Sequence, residues 1–155
     1  MKKAITCLLL AAGLTGHLSA QIPVQSQSDK NSGKVIRMDK QMFLDNIFDY
    51  TSGSTDWKYK GEKPAVIDFY ATWCGPCKMQ SPILDQVKEK VGDDATIVKV
   101  DIDRNRELAM KYRVQSVPTL ILFKDGEPVW RTVGVQSYDL LTAKIYEHIP
   151  TKSDE

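Results

Sequence analysis

Two cysteines, Cys74 and Cys77, stand with two residues between them in Trp73-Cys74-Gly75-Pro76-Cys77, between an apolar run and an amphipathic one. Thiols at this spacing can exchange with a foreign disulfide. One attacks as thiolate, and the other, a helical turn later, attacks the mixed disulfide and releases the partner reduced. Cys74 is the thiol expected to ionise, because the first turn of a helix offers unpaired N–H groups and the positive end of the macrodipole. Pro76 suits that turn, where its missing N–H costs nothing. Two blander readings compete. A structural disulfide here would close a loop of four residues, worth about 2 kcal/mol at most by chain entropy. Half a zinc site would find only His148 and carboxylates as further ligands in the processed chain, whereas structural zinc takes four Cys or His.

The elements that must hold this pair are legible on both sides of it. Pro64 to Ala71 is short, β-branched and aromatic, and is expected to be a strand buried on both faces. After the cysteines, Met79, Ile83, Val87 and Val91 recur every four residues, with Leu84 beside Ile83. That predicts a helix with one inward stripe and with Lys78, Gln80, Lys88 and Glu89 in water. Asp68 interrupts the apolar strand, which is costly unless the carboxylate is paired or protonated. Desolvation is expected to raise its pKa. It either serves the cysteines as an acid–base group or satisfies a local backbone group.

Elsewhere, Val35 to Met38 predicts a strand, and Asp39 caps a helix with Met42, Phe43, Ile47 and Phe48 on one face, ending near Tyr50. Thr51 to Lys63 is a loop whose Trp57 and Tyr59 are expected to pack on the domain rather than on a partner. Gly92-Asp93-Asp94 ends the long helix. Thr96 to Asp101 is the next strand, so a right-handed parallel βαβ unit is expected. Asn105 caps a short helix through Tyr112 with Leu108 and Ala109 inward. Val117-Pro118-Thr119 leads into the strand Leu120 to Phe123, Asp125-Gly126 turns a hairpin, and Val129 to Val133 returns antiparallel. Ser137 then caps a helix carrying Leu140, Leu141, Ile145 and Ile149. The fold class is α/β, a central mixed β-sheet flanked by helices.

At 155 residues the chain supplies one domain, and its first residues do not belong to it. Met1-Lys2-Lys3, the apolar run from Ala4 to Leu14, and Leu18-Ser19-Ala20 have the layout of a secretory signal peptide, residues 1–20, too short to span a bilayer. Residues 21–34 are a polar lead, 35–150 the domain and 151–155 a polar tail. Removal of the signal takes Lys2, Lys3 and Cys7 with it. That leaves 19 basic residues against 20 acidic ones and two cysteines, the reactive pair. A formal charge of −1 recommends neither nucleic acid nor an anionic membrane as partner, and a monomer is expected. A chain without a third thiol suits disulfide chemistry in an oxidising compartment.

The run Val66-Ile67-Asp68-Phe69-Tyr70-Ala71-Thr72-Trp73-Cys74-Gly75-Pro76-Cys77-Lys78 closely resembles the thioredoxin signature. Pro82 inside the helix, Lys99 before Val-Asp-Ile-Asp, Val117-Pro118-Thr119, Phe123-Lys124-Asp125-Gly126 and Gly134 extend the resemblance, in order, over about Val35 to Ile149. The resemblance implies a thioredoxin fold and an exported, periplasmic protein-disulfide reductase. It implies Cys74 as nucleophile, Cys77 as resolving thiol, Asp68 as acceptor of the Cys77 proton through water, and Lys99 tuning that acid. It makes the Val117–Pro118 bond cis, where Val-Pro before a strand would otherwise be an ordinary start. A substrate strand would pair with the Val117 backbone, on a surface shared by Trp73, Gly75, Pro76, Pro118 and Gly134. Trp73 would cover one side of the cysteines and exclude water, and an exposed partner-contact role is compatible with that place. No cofactor or metal is implied beyond the redox-active disulfide.

Departures from the family pattern are informative. Tyr70 stands where many members carry tryptophan, and the loop from Thr51 to Lys63 is long. Export would separate the protein from the usual NADPH-dependent reductase, which points to a transmembrane thiol reductase as electron donor and to exported disulfide proteins as substrates. Gly-Pro between the cysteines resembles the reducing end of the family, about −270 mV against about −120 mV for DsbA. The rival functions are a net disulfide-forming oxidant and a non-catalytic scaffold.

Overall fold

Five strands and four helices follow one another in the computed structural model, which describes residues 34–47, 63–125 and 127–149. They are β1 (Ile36–Met38), α1 (Lys40–Asn46), β2 (Ala65–Tyr70), α2 (Gly75–Val91), β3 (Thr96–Asp101), α3 (Arg106–Lys111), β4 (Thr119–Lys124), β5 (Glu127–Val133) and α4 (Tyr138–Tyr146). The sheet order is β1-β3-β2-β4-β5. β1 and β2 both run parallel to β3, whereas β4 pairs antiparallel with β2 and with β5. This is the mixed sheet flanked by helices that the sequence predicts.

β2 is the central strand, and its unbroken apolar run follows from that place. Ile67 and Phe69 face one core with Phe43, Val98, Val100, Leu108, Tyr112 and Phe123. Val66 faces the other with Leu84, Val87, Ile97, Leu122, Leu141 and Ile145. Full burial of such side chains contributes about 1.5–3 kcal/mol each. Tyr112 anchors the first core, its ring meeting Phe43 and Phe123 edge-on with centroids 6.0 and 5.6 Å away.

The face of α2 differs from expectation. Its buried residues are Cys77, Gln80, Leu84, Val87, Lys88 and Val91, while Met79 is 64% exposed. A repeat of four drifts about 40° per step on a helix of 3.6 residues per turn. Met79 and Val91 therefore cannot share one face. Burial of Gln80 and Lys88 is made tolerable by hydrogen bonds. Lys88 Nζ donates to the Gly92 carbonyl and, at 2.9 Å, to that of Ala95. Burial lowers the Lys88 pKa from its ordinary value.

Smaller differences have similar causes. Asn105 stands at the N-cap of α3, but its amide donates to the Asp101 carbonyl at 2.9 Å instead of capping. Met42 and Leu140 lie on exposed flanks of their helices. Ile149 packs against the second core beyond the end of α4. Asp39 and Ser137 do cap α1 and α4, accepting from Met42 and Leu140 N–H at 2.9 and 3.3 Å. The expected signal peptide, Phe48, the expected loop around Trp57 and Tyr59, Gly126 of the hairpin turn and the expected polar tail lie outside the described residues.

Candidate active site

The cysteine pair sits where the chain leaves the sheet and enters α2. Cys74 occupies the N-cap with extended backbone (φ −79°, ψ 111°), and its Sγ accepts the Cys77 N–H at 3.1 Å. A thiolate at Cys74 would keep this donor and gain the helix dipole. Pro76 is the second residue of the helix, as its missing N–H allows. Cys74 and Cys77 are joined in a disulfide with Cα atoms 5.3 Å apart. Beside them Gly75 is open, since a Cβ built there would meet nothing within 4 Å.

Both sulfurs are buried, covered by Ala71, Tyr70, Ile102 and Val117. Trp73 takes the exposed placement that the expectation also allowed. The Trp73 side chain is turned outward, 68% exposed, and its indole N–H donates to Asp103 Oδ2 at 2.8 Å. Held by that bond, it presents a fixed aromatic face to solvent next to the cysteines.

The opposite rim is backbone. The Val117–Pro118 bond is cis, and the Val117 carbonyl oxygen lies 3.6 Å from Cys74 Sγ, a contact without a proton in the disulfide state. Pro118 accepts the Gly134 N–H at 2.8 Å. Gly134 has φ +87°, a conformation that a side chain would strain. The segment after it is tied to α2 by Gln80, whose Oε1 accepts the Gln136 N–H at 2.7 Å and whose Nε2 donates to the Gln136 carbonyl at 3.4 Å. Thus α2, the Pro118 loop and the Gly134 turn are fastened together around one disulfide.

Asp68 is fully buried on β2, the strand that leads to the cysteines, opposite Lys99 of β3. Neither carboxylate oxygen has a hydrogen-bond partner among the described residues, so the reading in which it satisfies a backbone group finds no support. Lys99 Nζ is 3.7 Å from Asp68 Oδ2, an ion pair too long for a hydrogen bond. Burial pushes the Asp68 pKa up to about 6 while the Lys99 charge works against the rise. Lys99 itself donates to Ser81 Oγ and lies 4.7 Å from the centroid of the Tyr70 ring. Ser81 in turn donates to the Cys77 carbonyl at 3.1 Å.

The structure therefore brings Asp68 and Lys99 together, and gathers Val117 and Pro118 beside the cysteines with Gly134 bonded to the Pro118 loop. Sequence reasoning missed Ser81, Gln80 and Asp103. A correct helical phase counted from Cys77 would have turned Gln80 inward, since three residues is nearly one turn. Nothing local marked Asp103. Among the described residues no three His, Cys, Asp or Glu side chains converge to hold a metal ion.

Comparison with known proteins agrees with this geometry. The family model described as Thioredoxin matches residues 54–147. A thioredoxin of Mycobacterium bovis is 47% identical over 88 residues, 57% of this chain and 76% of the relative. A bifunctional thioredoxin reductase/thioredoxin of Mycobacterium leprae is 35% identical over 121 residues, 78% of this chain and 24% of that protein. Among solved structures, a mutant thioredoxin from Halobacterium salinarum superposes with a TM-score of 0.62 at 35% identity, covering 77% of this chain and 95% of its own.

Proposed function

The chain belongs to the thioredoxin family and is a thiol-disulfide oxidoreductase of its type, and from that premise we propose that it works as an exported, periplasmic reductase of protein disulfides. In the reduced enzyme the Cys74 thiolate attacks one sulfur of a substrate disulfide. A Cys74–substrate disulfide forms and the other substrate sulfur leaves as thiolate, to be protonated by water. Cys77 then gives its proton to the Asp68 carboxylate, through water, and its thiolate attacks Cys74 Sγ. The enzyme disulfide closes, the second substrate sulfur departs as thiolate, and the proton held by Asp68 passes to it through water. Two electrons and two protons pass to the substrate, and the described disulfide is the product state.

The observation that carries this reading is a disulfide at a helix N-terminus whose resolving cysteine is linked, through Ser81 and Lys99, to a buried carboxylate. With its pKa near 6, Asp68 is ionised at neutral pH yet holds a proton more tightly than an ordinary carboxylate. Lys99 tunes it. Trp73, Gly75, Pro76 and the Val117–Pro118 backbone, with Gly134 behind, form the surface for an extended substrate segment. The layout of residues 1–20 supports export. The donor is then a transmembrane thiol reductase, whose own dithiol attacks Cys74 and returns the two electrons. Pairing with a reductase has a precedent in the fused protein of Mycobacterium leprae.

The reduction potential of the processed protein, equilibrated against glutathione or dithiothreitol, tests the direction. A value near −270 mV, about that of thioredoxins, supports a reductase, whereas one near −120 mV, about that of DsbA, makes it an oxidant. Failure to catalyse insulin disulfide reduction by dithiothreitol would leave a scaffold.

A further inference from the structure

A buried ammonium with three protons seeks acceptors, and around Lys99 Nζ the structure offers three: Ser81 Oγ, Asp68 Oδ2 and the face of Tyr70. The hydrogen bond goes to Ser81, and Asp68 stays 3.7 Å away. Ser81 is fixed in that role because its own proton is committed to the Cys77 carbonyl one turn back, which leaves its lone pairs toward the ammonium. The hydroxyl is therefore held by the same turn of α2 that carries the resolving cysteine.

We propose that Ser81 is a positioning residue, which draws the Lys99 ammonium off Asp68 and so leaves the carboxylate free to take the Cys77 proton. The proposal rests on Asp68 being that acceptor. Without the Ser81 hydroxyl, the nearest anionic acceptor for Lys99 is Asp68, and a shift of about 1 Å turns the ion pair into a charge-assisted hydrogen bond. Such a bond favours the ionised carboxylate and weakens it as a base. From β3 the charged group facing Asp68 is Lys99, and from β4 its partner in register is the apolar Leu120, so among the described residues no other charge competes.

The test is the titration of the Asp68 carboxyl by carbon NMR in the oxidised, processed protein, compared with Ser81→Ala and Ser81→Thr. Ser81→Ala is expected to lower the midpoint by about one pH unit, and Ser81→Thr, which keeps the hydroxyl, to restore it. An unchanged or raised midpoint in Ser81→Ala, or no rescue by threonine, overturns the proposal. Alanine is a better helix former than serine, so Ser81→Ala is expected to keep the fold. Single-turnover resolution of a Cys74 mixed disulfide separates the two ideas. A lowered midpoint with slower resolution at neutral pH supports both. A lowered midpoint with unchanged resolution keeps the hold of Ser81 on Lys99 and removes Asp68 as the proton acceptor.

Discussion

A carboxylate in the middle of a sheet costs the fold free energy in proportion to the displacement of its titration. Asp68 moves from 3.8 to about 6, with burial as the first cause. The shift of about two units corresponds to roughly 3 kcal/mol. Because the folded pKa lies above the unfolded one, the folded state holds the proton more tightly. The penalty is absent below about pH 4, grows between about pH 4 and 6, and is complete above. Asp68→Asn is therefore expected to raise stability at pH 7.5 by up to about 3 kcal/mol and to change it little at pH 3.5. Urea melts at the two pH values check this, and an equal gain at both would contradict it. The same substitution is expected to slow resolution by Cys77 far more than attack by Cys74, read in single-turnover kinetics. Equal slowing of both steps would deny Asp68 its role. Asp68 could be singled out from the sequence because a charge inside an apolar run has few bland explanations. Ser81 could not, since a serine on a helix is ordinarily a solvent residue.

At the scale of elements, strands were legible and helix faces less so. β2, β3 and β4 are local apolar runs whose burial does not depend on phase, because they are covered on both sides. For α2, phase decides everything, and polar Gln80 and Lys88 on the buried stripe disguised it. Gln80 is inward because the element it meets is not another helix but the backbone of Gln136. Gln80→Leu fills the space yet strands the half-buried Gln136 N–H and carbonyl, at a cost of about 1 kcal/mol, the low end for an unsatisfied group because water can reach it. The loosened segment adjoins Gly134 and the Pro118 loop. The Michaelis constant for a protein disulfide is therefore expected to rise, while attack on a small disulfide, which needs no such surface, proceeds at the wild-type rate. Loss of both activities together would point to damage at the cysteines instead.

For the whole molecule, the order β1-β3-β2-β4-β5 depends on pairings between distant segments, which no local pattern encodes. The family resemblance supplied the fold class and the expectation of a cis bond at Pro118, and the order itself comes from the structure. Compartment is a different kind of whole-molecule property, because it changes which thiols the working protein contains. The full chain has Cys7, Cys74 and Cys77, and a third free thiol could attack a Cys74 mixed disulfide in place of Cys77, yielding the wrong pair. The proposed export, with removal of residues 1–20, would eliminate that competitor. Protein isolated from the periplasm is accordingly expected to begin at Gln21. In denaturant it should show no titratable thiol when oxidised and two when reduced, by intact mass and a thiol-specific chromophore. An intact chain beginning at Met1, with one thiol when oxidised and three when reduced, would place Cys7 in the working enzyme and defeat the exported reading.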